Sequence, residues 1–179
     1  VLSANTLDQH HPLTPYAGAL VQPEFGTIKA ADGQTLHYRL FKPAKLAAGK
    51  KYPVVVGVYG GPGAQRVTNS WSGRDLYFQY LVQNGYLVFQ LDNRGSENRG
   101  KAFEDPIYRK LADVELADQI SGVEYLRSLP YVDGNKIGIY GHSYGGYMAI
   151  MAMLRAGDYF AAGVSGAPVT DWALYDTHY

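Results

Sequence analysis

Apolar residues in this chain gather into short unbroken runs, and the segments between them carry helical spacing. In order they read "YPVVVGVY" (52–59), "RDLYFQYLVQNG" (74–85), "YLVFQLD" (86–92), "DVELADQISGVEYLRSL" (113–129), "KIGIYG" (136–141), "GGYMAIMAMLRAG" (145–157) and "AAGVSGAPV" (161–169). Continuous apolar runs bounded by glycine and polar residues are the mark of strands covered on both faces. The first, third, fifth and seventh segments are therefore predicted strands and the others helices. The helix over 113–129 places Val114, Ala117, Ile120, Val123 (or Glu124) and Leu126 at helical intervals, and Gly85 and Gly157 close the other two helices. Upstream, "FGTIKAADGQTLHYRLFKP" (25–43) alternates around Asp32-Gly33 and predicts a hairpin. Buried strands alternating with helices imply an α/β fold, a mostly parallel sheet with helices on both faces. Residues 1–23 carry Pro12, Pro15 and Pro23 without periodicity, and are expected to form a linker.

Composition narrows the function classes. Lys+Arg and Asp+Glu both count 16 in 179 residues. A net charge of zero offers no electrostatic handle for nucleic acid or an anionic membrane. No apolar run approaches the ~18 residues of a membrane span. With no cysteine, disulfides and thiolate metal sites are excluded, and neither a metal nor a cofactor is expected. A chain without thiols suits either redox compartment, an extracytoplasmic one being favoured for a bacterial source. The start at Val1 shows no signal peptide, and a section of a longer protein is the expectation.

The candidate chemistry sits at "GIYGHSYGGYM" (138–148). Gly141-His142-Ser143-Tyr144-Gly145 fits G-x-S-x-G, a weak pattern by itself in a chain with 21 glycines. Its context is strong, because a predicted buried strand runs into it and a helix leaves it. A sharp strand-to-helix turn forces the serine into an unfavourable backbone region and exposes its Oγ beside a helix N-terminus. Gly141 and Gly145 then avoid collision, and the Tyr144 backbone N–H becomes one donor for an oxyanion. Ser165, in "GVSGA", lacks the second glycine and is expected only to end a strand.

The elbow "YGHSYGGYM" resembles that of the prolyl oligopeptidase family of serine peptidases, most of all its dipeptidyl peptidase IV branch, which reads Gly-Trp-Ser-Tyr-Gly-Gly-Tyr. His142 in place of Trp is a departure, at a side chain expected to point away from the reacting centre. "VVVGVYGGPGAQ", "DNRGS" (92–96), "DVELADQISGVEYL" and "APVTDWALYDTHY" resemble further motifs of that branch, in the same order. The likeness runs over roughly residues 23–179. It implies an α/β-hydrolase fold whose last strands fall beyond this sequence. It also implies that 1–23 lead from an upstream β-propeller and that 24–179 form part of the catalytic domain. Ser143 would be the nucleophile of a dipeptidyl peptidase acting through an acyl-enzyme. Tyr59 at a strand end, otherwise readable as a plain aromatic, would give the second oxyanion donor through its hydroxyl.

Trp172, Tyr175 and Tyr179 fall at i, i+3 and i+7, which alone reads as a helical stripe packed on the core. The resemblance makes them, with Tyr144 and Val169, the walls of the pocket for the residue before the cleaved bond. An uncharged aromatic pocket suits proline, and alanine less well, so the implied partners are peptides with Pro or Ala second. A homodimer is the implied assembly of the longer protein. Arg94 reads as structural, paired with Asp92 or another nearby acid. His10, His11 and His37 read as surface or packing residues.

A serine needs a base, and this fold orders its triad Ser, acid, His. After Ser143 come Asp158, Asp171, Asp176 and one histidine, His178. Asp171 with His178 is one option, but no further strand would carry the histidine back. The expectation is instead that acid and histidine lie beyond Tyr179 and that the 179 residues alone are inactive. The alternatives are an acylaminoacyl peptidase or oligopeptidase on the same scaffold, a simple esterase, or a binding protein that kept the fold.

Overall fold

The computed structural model describes residues 10–176. Six strands form one sheet, β1 (Glu24–Lys29), β2 (Thr35–Phe41), β3 (Tyr52–Val58), β4 (Leu87–Asp92), β5 (Val132–His142) and β6 (Ala162–Gly166). They lie in the order β1-β2-β4-β3-β5-β6. The expected hairpin forms β1 and β2, and β2 also pairs antiparallel with β4. From β4 to β6 every pairing is parallel. Gly33 takes a positive φ of 86° in the hairpin turn, where Asp32 Oδ1 accepts the Gln34 N–H at 3.1 Å.

Four helices complete the layers, α1 (Gly73–Gln83), α2 (Lys101–Glu104), α3 (Val114–Ser128) and α4 (Tyr144–Arg155). On one face α3 and α4 pack over Val54, Val56, Phe89, Ile137 and Ile139. Met148, Ala149 and Ala152 of α4 are buried there, Met148 contributing about 2 kcal/mol by removal from water. On the other face α1 sets Phe78, Leu81 and Val82 against Phe41 and Val88. The α/β-hydrolase arrangement read from the sequence is the one observed.

Four details differ from the sequence reading. The segment ahead of β1 is not uniformly irregular, since Thr14–Ala19 form a 3₁₀ turn opened by Pro15. Its end is tied down: Gln79 of α1 accepts the Val21 N–H and donates to the Val21 carbonyl, both at 2.8 Å. The short α2 was not anticipated, having too few residues to show a period. β6 is shorter than 161–169 and, as the outermost strand among the described residues, exposed, and Ala167 at φ 40° followed by Pro168 ends it. On α3, Ala117 faces solvent and Val114 and Ile120 are only half-buried, while Glu115, Asp118 and Gln119 point inward. Among the described residues no helix is long and apolar enough to cross a membrane.

Candidate active site

β5 is flanked by β3 and β6, and it delivers Ser143 to the carboxyl edge of the sheet, where α/β folds place their sites. Ser143 has φ 60° and ψ −121°, a region that costs a non-glycine residue about 1–3 kcal/mol. The turn is fixed from both sides. The Ser143 N–H donates to the Gly166 carbonyl at 2.9 Å, and the Ser143 carbonyl accepts from the Tyr147 N–H at 3.1 Å. The flanking glycines are sterically required, because a Cβ on Gly141 would strike the Gly145 backbone and one on Gly145 would strike the Val58 carbonyl. The first turn of α4 therefore lies against the end of β3, and its N–H groups stand beside the serine.

Tyr59 directly follows β3 and is half-buried. Its ring lies 6.0 Å from that of Tyr144, with the Arg66 guanidinium 4.6 Å from its centroid. Burial, reinforced by nearby Arg74, pulls the Arg66 pKa down. Gly60 turns the chain at φ 80°, and a Cβ on Gly61 would sit 2.5 Å from the Tyr144 ring. The loop that follows is held by Asp92, whose carboxylate accepts the Arg66 N–H at 2.7 Å and the Val67 N–H at 3.1 Å. Burial raises the Asp92 pKa against those two hydrogen bonds.

The structure brings Ser143, Tyr59, Tyr144 and Trp172 together. Tyr144, 1% exposed, touches the Trp172 ring at 5.8 Å. Trp172 touches Tyr175 at 5.8 Å in an edge-on contact, and Tyr175 is 41% exposed. Val169 is half-buried between β6 and this aromatic turn. The expected helical stripe is corrected here. Only Trp172–Leu174 are helical, in a 3₁₀ turn capped by Asp171, and Tyr175 is already extended. In a 3₁₀ turn i and i+3 eclipse, which is why Trp172 and Tyr175 still meet. Tyr179 and His178 lie outside the described residues.

Sequence reading passed over two side chains. Tyr147 stands between Tyr144 (5.4 Å) and Trp172 (5.2 Å), both edge-on, and its repeat of Tyr144 at i+3 was the available signal. Glu115 accepts the Tyr144 hydroxyl at 2.5 Å, and burial raises its pKa. Nothing local in the sequence joins two residues that far apart.

Other candidates fall away. Arg94 binds Asp118 and Asp32 rather than Asp92, with Nη2 to Asp118 Oδ1 at 2.6 Å. Ser165 donates to the Gly146 carbonyl at 2.9 Å, a packing role. Asp171 accepts the Ala173 N–H at 2.9 Å as a cap. The Ser143 hydroxyl makes no capping bond to α4. An apolar groove lined by Val55, Tyr77, Tyr140 and Val164 lies on the α1 face and holds none of these residues.

The family model described as the prolyl oligopeptidase family matches residues 71–179. Dipeptidyl peptidase 8 of Homo sapiens is 42% identical over 178 residues, 98% of this chain and 19% of that protein. The crystal structure of Porphyromonas gingivalis dipeptidyl peptidase 4 superposes with a TM-score of 0.78 at 37% identity, covering 86% of this chain and 22% of that one. A Bacteroides ovatus protein assigned as a dipeptidyl aminopeptidase IV superposes with a TM-score of 0.86 at 51% identity, over 91% of this chain and 24% of that one. The chain thus spans about a fifth of the length of the curated relatives it matches.

Proposed function

The chain belongs to the prolyl oligopeptidase family, and on that premise we propose that it carries the nucleophile of a serine dipeptidyl peptidase. The observation that carries the reading is Ser143 at positive φ on the β5–α4 junction, beside the aromatic cluster of Tyr59, Tyr144 and Trp172. The names of the relatives supply the exopeptidase class.

In this reading Ser143 Oγ attacks the carbonyl carbon of the second residue of a peptide. The Tyr144 N–H and the Tyr59 hydroxyl receive the oxyanion, a kind of contact whose loss costs about 100- to 1,000-fold in kcat. Collapse expels the shortened peptide as its amine and leaves the dipeptide as an ester on Ser143, which water then hydrolyses. The aromatic walls, with Val169 and Tyr175 at the rim, take proline by apolar contact and offer a charged side chain no partner.

Proton transfer requires a histidine and an acid. We assign these to parts of the longer protein beyond Tyr179, because Asp171 is engaged as a cap and the relatives are about five times longer. Residues 1–23 are the lead-in from an upstream domain, and 24–179 a section of the catalytic one. The 179 residues alone then leave Oγ a neutral hydroxyl, and a fluorophosphonate probe should label them slowly or not at all.

The deciding assay uses the intact protein on a Gly-Pro chromogenic substrate, with the amine free and acetylated, beside the Ser143→Ala variant. Cleavage of the free form alone, lost in the variant, is the expected result. Cleavage of the acetylated form would move the activity to an acylaminoacyl peptidase or oligopeptidase. Undiminished cleavage by the variant would remove Ser143 from the mechanism.

A further inference from the structure

The motif "DVELADQISGVEYL" has no part in the chemistry above, yet α3 buries charge where a helix packed on a sheet ordinarily buries apolar side chains. Glu115 and Asp118 are 0% exposed and Gln119 is 1%. Each reaches a different partner, and two of those partners belong to the site. Asp118 holds Arg94 at the end of β4. Gln119 Nε2 donates to Asn93 Oδ1 at 2.9 Å, and Asn93 Nδ2 donates to the Gly60 carbonyl at 2.9 Å, one residue past Tyr59. Glu115 Oε1 accepts the Ala112 N–H at 3.0 Å and the Tyr144 hydroxyl at 2.5 Å.

We infer that Glu115 is a positioning residue for the Ser143 site. By holding the Tyr144 hydroxyl it fixes the ring that walls the pocket and the backbone N–H that meets the oxyanion. The inference rests on the reading of Ser143 as the nucleophile and of the aromatic cluster as its pocket. Tyr144 is the first residue of α4, so its ring and its N–H hang from one Cα beside the serine. The ring is packed between Tyr59, Gly61, Tyr147 and Trp172 and is 1% exposed. To these non-directional ring contacts the hydrogen bond at the hydroxyl adds a directional one. Glu115 is a stiff anchor, sitting in the first turn of α3 and tied to the Ala112 backbone. A carboxyl oxygen accepts whether or not the group is protonated, so the tether does not depend on its charge. Small displacements of catalytic groups cost disproportionately, which gives a remote tether kinetic weight.

The test is steady-state kinetics of the intact protein on Gly-Pro and Gly-Ala chromogenic substrates, normalised to sites titrated by a fluorophosphonate. Glu115→Ala should lower kcat/KM for Gly-Pro by about 10- to 100-fold and compress the Pro-over-Ala preference by about tenfold. Glu115→Gln should stay within about threefold of wild type, because its amide oxygen accepts the same bond. The second carboxylate oxygen accepts from no described group, so an amide nitrogen there displaces no donor. Tyr144→Phe removes the bond from the other side and should reproduce the Glu115→Ala defect, the double variant being little worse. If Glu115→Ala yields no folded protein, Tyr144→Phe against Glu115→Gln decides alone. Loss of folded protein without a site effect would leave the normalised constants and the Pro-to-Ala ratio untouched. That result, or a Glu115→Gln defect as deep as that of Tyr144→Phe, overturns the inference. A wild-type protein that neither cleaves Gly-Pro nor labels at Ser143 would instead sink the peptidase reading, and the positioning role with it.

Discussion

The helices α1 and α3 lie on opposite faces of the sheet and use the same device for different ends. Each buries an acid and, four residues on, a glutamine: Asp75 and Gln79 in α1, Glu115 and Gln119 in α3. In α1 these groups serve the frame. Asp75 accepts the Ser72 N–H at 2.7 Å and pairs with buried Arg39 at 3.1 Å, and Gln79 clamps Val21. In α3 the same two positions reach Tyr144 and, through Asn93, Gly60. The outer face of α1 carries Leu76, Tyr77 and Tyr80 in the open, whereas that of α3 carries Ala117, Glu124 and Arg127. A buried polar side chain is thus uninformative until its partner is known. With the partner known, one helix reads as a brace for the chain ahead of the sheet and the other as a support for the active-site loops.

The comparison can be broken most severely at Asp118. Asp118→Ala leaves Arg94 with only its exposed partner Asp32, and should lower stability by about 3 kcal/mol, seen as a reduced calorimetric unfolding midpoint. An unchanged midpoint would show that α3 does not depend on its buried charge. A subtler experiment sharpens the contrast. Burial raises the Glu115 pKa above its ordinary value, so the native state holds this proton more tightly than the unfolded chain. The stabilisation from that proton is complete below the ordinary glutamate range and fades as pH climbs through the raised native value. Glu115→Gln, permanently neutral, should therefore unfold at a higher temperature than wild type at pH 7, and the gap should close as pH falls towards 4. A gap that widens on acidification would mean the carboxylate form is the favoured one. The smallest effect belongs to the outer face of α1, where Tyr80→Ser at a 62% exposed position should change stability by less than about 0.5 kcal/mol. A large loss there would mean that the face is covered in the intact protein.

The same contrast explains what could be read from the chain. The β5 turn was legible because its requirements are local: Gly141 and Gly145 are demanded by atoms a few residues away, or by the strand end that α4 must cross. Strands β3, β4 and β5 were legible as unbroken apolar runs, and the hairpin through Asp32-Gly33. The inward face of α3 is not legible, because hydrophobic spacing treats Glu115, Asp118 and Gln119 as solvent-facing. Their partners Tyr144, Arg94 and Asn93 lie elsewhere in the chain. The aromatic segment after β6 kept its Trp172–Tyr175 contact but not its helix, since period alone does not separate one 3₁₀ turn from the start of an α-helix.

The hydrogen bond from the Ser143 amide to the Gly166 carbonyl has a consequence for dynamics. It extends the β5–β6 ladder one residue past the last paired strand position, so the amide of the candidate nucleophile is protected only while β6 stays docked on β5. Deuterium uptake at that one amide should rise and fall with uptake along Ala162–Gly166, making the serine its own reporter of whether the β5–β6 pairing beneath it is closed.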